Sequence, residues 1–115
     1  LDGLLRYGFD VEPHTVSHPN LGRESVAQVD AEINGSIQRL AAKLGRASHA
    51  FAYPYGRFTD VQPAVAELLR DAGIACGFTT IHGFNRRRDD PYSLFRINAT
   101  GHHRGFAFEK LLAMG

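Results

Sequence analysis

The stretch GFDVEPHTVSHPNL, residues 8–21, decides how the rest of the chain reads. Its first part alternates, with Phe9 and Val11 on one face, which predicts a short strand over residues 8–12. His14 and His18 follow, four residues apart, with Thr15 between them and Pro19 just after. Pro19 has no N–H and a fixed φ, so it helps set the exit of a turn. Beyond it a helical pattern begins. A strand thus runs through a histidine turn into a helix, and in βα architectures the edge where strands end carries the active site.

Outward from that stretch the alternation continues. Val26, Val29, Ile33, Ile37, Leu40 and Leu44 recur every three or four residues and make one apolar helix face. Ser25 with Gln28 predicts an N-terminal cap, and Gly45 a C-terminal stop. Gly35 inside this helix costs about 1 kcal/mol against Ala, so packing must hold the helix there. HAFAYPYG, residues 49–56, predicts a strand ending in a Pro/Gly turn. A second helix is expected over 60–72, with Val61, Val65, Leu68 and Leu69 on its face and Gly73 ending it. IACGFTT (74–80) and LFRINA (94–99) read as strands, separated by a polar loop over 82–92 that holds Arg86, Arg87 and Arg88. A short helix over 106–113 closes the chain. Strands alternating with helices predict an α/β fold with about four parallel strands.

Composition narrows the function classes. The 115 residues fit one domain, and 43% hydrophobic with 22% charged residues are ordinary globular values. A net charge of +1 gives no field for nucleic acid or an anionic membrane. The single Cys76 excludes an internal disulfide and reads as a small buried hydrophobe. No apolar run approaches the ~20 residues a membrane helix needs. The chain opens LDGLLRYGFDV, as if at the end of a helix entering a strand, which creates the expectation that it is part of a longer protein.

Two constellations could carry chemistry. Zinc takes imidazole nitrogens at about 2.0–2.1 Å, and a catalytic site uses three protein ligands and one open position. His14 and His18 can face one point across a turn, though two histidines alone also suit an ordinary surface loop. FAYPYG, residues 51–56, enters a tight turn in which Pro54 fixes φ and Gly56 permits close backbone approach. Such a turn can aim a backbone N–H at a reacting carbonyl oxygen, or simply be a rigid connection.

Together these motifs resemble the polysaccharide deacetylases of carbohydrate esterase family 4, the NodB homology domain. HTVSH is similar to that family's H-[ST]-x-x-H motif and FAYPYG to its third motif; the DPYSLFRINATG stretch resembles the same branch. The resemblance implies that residues 1–115 form part of a distorted (β/α) barrel. It implies an enzyme that removes N-acetyl, sometimes O-acetyl, groups from polysaccharides containing N-acetylglucosamine. It also implies a divalent metal, usually zinc, and a place in the cell envelope or outside the cytoplasm. His14 and His18 would then be metal ligands, and Thr15 would brace their loop. The backbone N–H of Tyr55 would serve the oxyanion, with Pro54 and Gly56 as support.

The departures are equally specific. The family's first motif supplies a catalytic-base Asp and a third ligand, also an Asp, and nothing before His14 matches it. Asp2, Asp10 and Glu12 are the acids there, with Glu12 a weak candidate substitute ligand. Ala52 stands where the family often has an Arg that contacts the catalytic Asp. Arg96 could orient such an Asp instead, since Leu94, Arg96 and Asn98 share one strand face while Phe95 and Ile97 would pack on helices. His102 or His103 could offer a late acid but read more simply as loop residues. Two other functions stay open: a non-catalytic glycan-binding module, or the same barrel hydrolysing a small cyclic amide or imide.

Overall fold

The computed structural model describes residues 2–100, 105 and 110. The elements run in order α1 (Asp2–Arg6), α2 (Val26–Leu44), β1 (Ala50–Ala52), a 3-10 turn (Phe58–Asp60), α3 (Pro63–Asp71), β2 (Cys76–His82) and β3 (Leu94–Arg96). The three strands form one parallel sheet in the order β1-β2-β3. Parallel strands need long connections, usually helical. α3 supplies one between β1 and β2, whereas residues 83–93 join β2 to β3 without a helix.

α2 begins and ends where its signals stand. The Ser25 hydroxyl accepts from the Gln28 N–H at 3.2 Å, and Gly45 closes the helix at φ 68°. Its inward stripe, with Val29 and Ile33, meets Val65 and Leu69 of α3, Phe51 of β1 and Tyr53 just after that strand. Leu21, Ile74 and Tyr92 complete this core. The Tyr53 hydroxyl donates to the Tyr92 carbonyl at 2.6 Å, and the Tyr92 hydroxyl to that of Ile74 at 2.9 Å. Both buried phenols are therefore satisfied, as burial demands. Burial, with negative charge from Asp90 next, pushes the Tyr53 pKa well above the usual phenol range.

The α/β class and parallel strands are as expected, although the strands expected over 74–80 and 94–99 run Cys76–His82 and Leu94–Arg96, and two further elements differ. Residues 8–12 are not a strand: among the described residues, their stretch meets β1 through one backbone bond, Ala52 N–H to Pro13 carbonyl at 3.2 Å. Pro13 has no N–H to return, and Glu12 takes the next donors with its side chain instead, from the N–H groups of His49 and Ala50 at 3.0 and 3.3 Å. The second helix starts at Pro63 rather than residue 60. Gln62 before that proline is extended, at φ −110° and ψ 153°, because the ring disfavours helical geometry in the preceding residue. Of the helix expected over 106–113 only Lys110 is described, and it is helical. His102 and His103 lie outside the described residues.

The other face of the sheet is open. Ala50, Ala52, Phe78 and Arg96 line a broad cavity of about 630 Å³ there, with Glu12 and Phe95 at its margin.

Candidate metal centre

The histidine loop and the tyrosine turn come together at the end of β1. The His14 Nδ1 lies 2.6 Å from the Ala52 carbonyl oxygen. A carbonyl can only accept, so Nδ1 carries a proton, and in the neutral ring Nε2 is the nitrogen that keeps its lone pair. This is the tautomer a metal ligand needs, with its other nitrogen oriented by a backbone carbonyl. Ala52 holds the same loop from its amide as well, through Pro13. Its backbone positions the site although its side chain is featureless.

The His14 and His18 rings lie 4.8 Å apart between centroids, edge to face at 68°. Two imidazoles each ~2.0–2.1 Å from a shared ion at a near-tetrahedral angle have centroids about 5 Å apart, so the pair fits two ligands of one divalent ion. The Tyr55 ring stands beyond His18, at 4.9 Å and 71°. Both histidines are exposed.

Among the described residues three that are not glycine have left-handed backbones: Thr15 at φ 71°, His18 at 60° and Tyr55 at 63°. All three belong to this site. Left-handed geometry costs an L-residue of order 1–3 kcal/mol and persists only where the surroundings fix it. In the histidine loop the Thr15 hydroxyl accepts from the His18 N–H at 3.1 Å. Glu32 of α2 binds the middle of the loop, at Val16 and Ser17.

The tyrosine turn is fixed by the sheet. Gly56 N–H donates to the Pro54 carbonyl at 2.7 Å, a γ-turn centred on Tyr55. Thr80 of β2 then clasps the turn: its N–H donates to the Gly56 carbonyl at 2.9 Å and its hydroxyl to that of Tyr55 at 2.6 Å. Gly56 is required twice. Its φ is 68°, and a Cβ there would come 2.6 Å from the Thr80 nitrogen. Among the described residues no hydrogen bond takes the Tyr55 N–H.

Asp60 ties the two loops together. It is fully buried, and Asn20, just after the histidines, donates to its Oδ1 at 2.8 Å. Arg57, just after the tyrosine turn, donates through its backbone N–H at 3.0 Å and its guanidinium at 2.7 and 3.1 Å. The Arg57 hydrogen bonds outweigh burial and hold the Asp60 carboxyl at about 2, below the usual carboxylate range.

Other expected residues stand elsewhere. Glu12 does not join the histidines; its carboxylate caps the entry to β1 and lies 3.8 Å from Arg46. Asp10 is also beside Arg46, at 3.7 Å. Arg96 lines the open cavity, with its guanidinium carbon 6.0 Å from the Phe78 ring centroid and a buried Nε that has no hydrogen-bond partner. Phe95 is absent from the helix-side core; its ring lies against Gly83, and its backbone is paired to Asn85. Among the described residues no group of three or more His, Cys, Asp or Glu could hold a metal ion. The pair fits two positions of a metal site and supplies no third.

Sequence reasoning missed Glu32 and Asp60. The signal for Glu32 was present, because a carboxylate falls in the stripe Val29, Glu32, Ile33, Ser36 that α2 buries. Asp60 was absorbed into a helix that starts three residues later.

Among curated proteins none matches. The chain is similar in structure to deacetylase PplD of Streptococcus pyogenes, solved in complex with acetate: TM-score 0.86 and 25% identity over 98% of this chain and 48% of that one. A polysaccharide deacetylase of Bacillus cereus, BC0361, gives 0.72 and 22% over 98% and 34%. A family 4 carbohydrate esterase from Streptomyces lividans, also solved in complex with acetate, gives 0.60 and 23% over 67% and 38%. The chain thus spans about half of PplD and less of the others, and shares the α/β fold of NodB-like barrels. The family model described as polysaccharide deacetylase matches residues 2–77, more than half of the chain and all of the segment that carries the histidine loop, α2 and the tyrosine turn, and the chain belongs to that family.

Proposed function

We propose that this chain carries part of the active site of a metal-dependent deacetylase that removes N-acetyl, or O-acetyl, groups from an envelope or exported polysaccharide containing N-acetylglucosamine. The observation that carries the reading is the His14 tautomer, fixed by the Ala52 carbonyl with Nε2 left free beside His18. Family membership supports it. So does the acetate bound by PplD, since acetate is the acid that deacetylation releases.

In this reading His14 and His18 hold the ion, zinc or another divalent metal. When bound, such an ion polarises the acetyl carbonyl and makes water a better nucleophile at neutral pH. The residues of this chain do the rest of what is assigned here. Thr15 keeps His18 turned toward His14. The Tyr55 N–H, held outward by Pro54, Gly56 and Thr80, donates to the carbonyl oxygen as it gains charge, a contact worth about 10²–10³ in rate where it is made. In the reaction the water oxygen bonds to the acetyl carbon, the C–N bond breaks, and the nitrogen leaves as the protonated amine. A carboxylate must take the proton from water and a further ligand must complete the metal site. The described residues supply neither; in this reading Arg96, which lines the open cavity, would orient a carboxylate brought into it.

Zinc titration of the isotope-labelled chain, read at the imidazole nitrogens, tests the reading. Zinc is expected to shift His14 and His18 weakly, His14→Ala and His18→Ala to abolish the effect, and the chain alone to release no acetate from an N-acetylglucosamine oligomer. No shift at either histidine, with equal oligomer binding in chelator, would replace the hydrolase with a glycan-binding module. Tight zinc binding with acetate release would show that this chain completes the site.

A further inference from the structure

We propose that Glu32 is the positioning residue of the histidine pair: its buried carboxylate fixes the loop between His14 and His18 so that the two rings face each other.

Glu32 stands on the buried stripe of α2 and is 5% exposed. A carboxylate in that setting is costly unless its lone pairs are satisfied. Gln28 on its own helix contributes one hydrogen bond, and the others come from the two residues between Thr15 and His18. Val16 and Ser17 both point their N–H groups at Oε2, at 2.7 and 2.9 Å, and the Ser17 hydroxyl donates to Oε1 at 2.5 Å. Successive backbone N–H groups converging on one anion form a nest, and here the anion is supplied by the chain's own helix. Burial raises the Glu32 pKa, and hydrogen bonds from Ser17, Val16 and the Gln28 side chain more than offset it, so the group stays ionised.

The clamp lies between the two left-handed residues, Thr15 and His18. Gripping Val16 and Ser17 while the Thr15 hydroxyl takes the His18 N–H closes the loop on itself, with a histidine at each end. α2 seats the loop one turn further along, because Val16 packs where Gly35 has no side chain: a Cβ there would lie 2.9 Å from Val16 Cγ2. This is the packing reason for a glycine in mid-helix. Nothing else in the hydrogen bonding of Val16 or Ser17 competes with Glu32 among the described residues.

The inference rests on the metal reading only for its zinc measurement. Four proteins are compared by NMR: the native chain, Glu32→Ala, Glu32→Gln and Val65→Ala, the last a core change that lowers stability away from the loop. Glu32→Ala is expected to speed amide exchange at Val16 and Ser17 and to lose the His14–His18 ring contact. It should also weaken zinc binding about 10–100-fold, the usual effect of removing a residue that orients ligands. Glu32→Gln, whose amide oxygen still accepts both N–H groups, is expected to stay close to native. Val65→Ala is expected to keep the ring contact and zinc affinity. A Glu32→Ala protein that keeps both, or a Val65→Ala protein that loses them equally, would overturn the proposal. If Glu32→Ala does not fold, Ser17→Ala decides: it should weaken the ring contact partially, and an unchanged contact would overturn the proposal. A native chain whose histidines ignore zinc would sink the ligand reading, while the exchange and ring-contact measurements would still decide the role of Glu32.

Discussion

The histidine loop and the tyrosine turn meet at one site and share a backbone problem, yet each solves it differently. Both hold non-glycine residues in left-handed geometry. The tyrosine turn is held largely by main chain, against Thr80 of a neighbouring parallel strand, with glycine where the approach is closest. The histidine loop is anchored at its start by Ala52 of β1, but its centre, Val16 and Ser17, is held by one side chain reaching out of α2. A turn at a strand end can borrow the sheet's regular donors and acceptors. A loop facing a helix cannot, because the helix spends its own N–H and C=O groups internally, so only a side chain can reach it.

That contrast can be broken from either side. The largest effect is expected from Gly56→Ala. Left-handed geometry and a Cβ 2.6 Å from the Thr80 nitrogen act together, costing about 3 kcal/mol in stability. Urea unfolding measures the loss. NMR should show the His14–His18 ring contact surviving in the folded protein, and its loss would mean that the two loops are one unit.

Asp60 sets how far they are one unit. Its folded pKa of about 2 lies below the ordinary aspartate value of 3.8, so it stabilises the fold above that value. The contribution, roughly 2 kcal/mol, is lost as pH falls from about 4 through about 2. Arg57 is 64% exposed, so the ion pair itself adds little, and the hydrogen bonds to a buried carboxylate carry the effect. Urea midpoints from pH 7 to pH 2 should fall less steeply for Asp60→Asn than for the native chain. Parallel curves would remove Asp60 from the link between Asn20 and Arg57.

The smallest effect is expected from Thr80→Val, which keeps the strand N–H and shape but removes the hydroxyl bond to the Tyr55 carbonyl. About 1 kcal/mol should be lost. A loss near that of Gly56→Ala would mean that the side chain, rather than the sheet backbone, holds the tyrosine turn.

Sequence alone determined the elements whose signals are local. α2 follows from its apolar spacing, Ser25 and Gly45, and the turn at residues 53–56 from Pro54 and Gly56, because caps and turn chemistry act within a few residues. The likeness of HTVSH and FAYPYG to one family was also legible, and the family match bears it out. Tertiary structure decided what depends on partners far along the chain. Residues 8–12 alternate like a strand, but Pro13 offers no N–H to a ladder and Glu12 caps β1 instead. Glu32 read as one more charge on a helix until the fold laid Val16 and Ser17 against it. The protonated nitrogen of His14 was set by Ala52, 38 residues away, through a carbonyl that every residue type possesses and that no residue identity could announce.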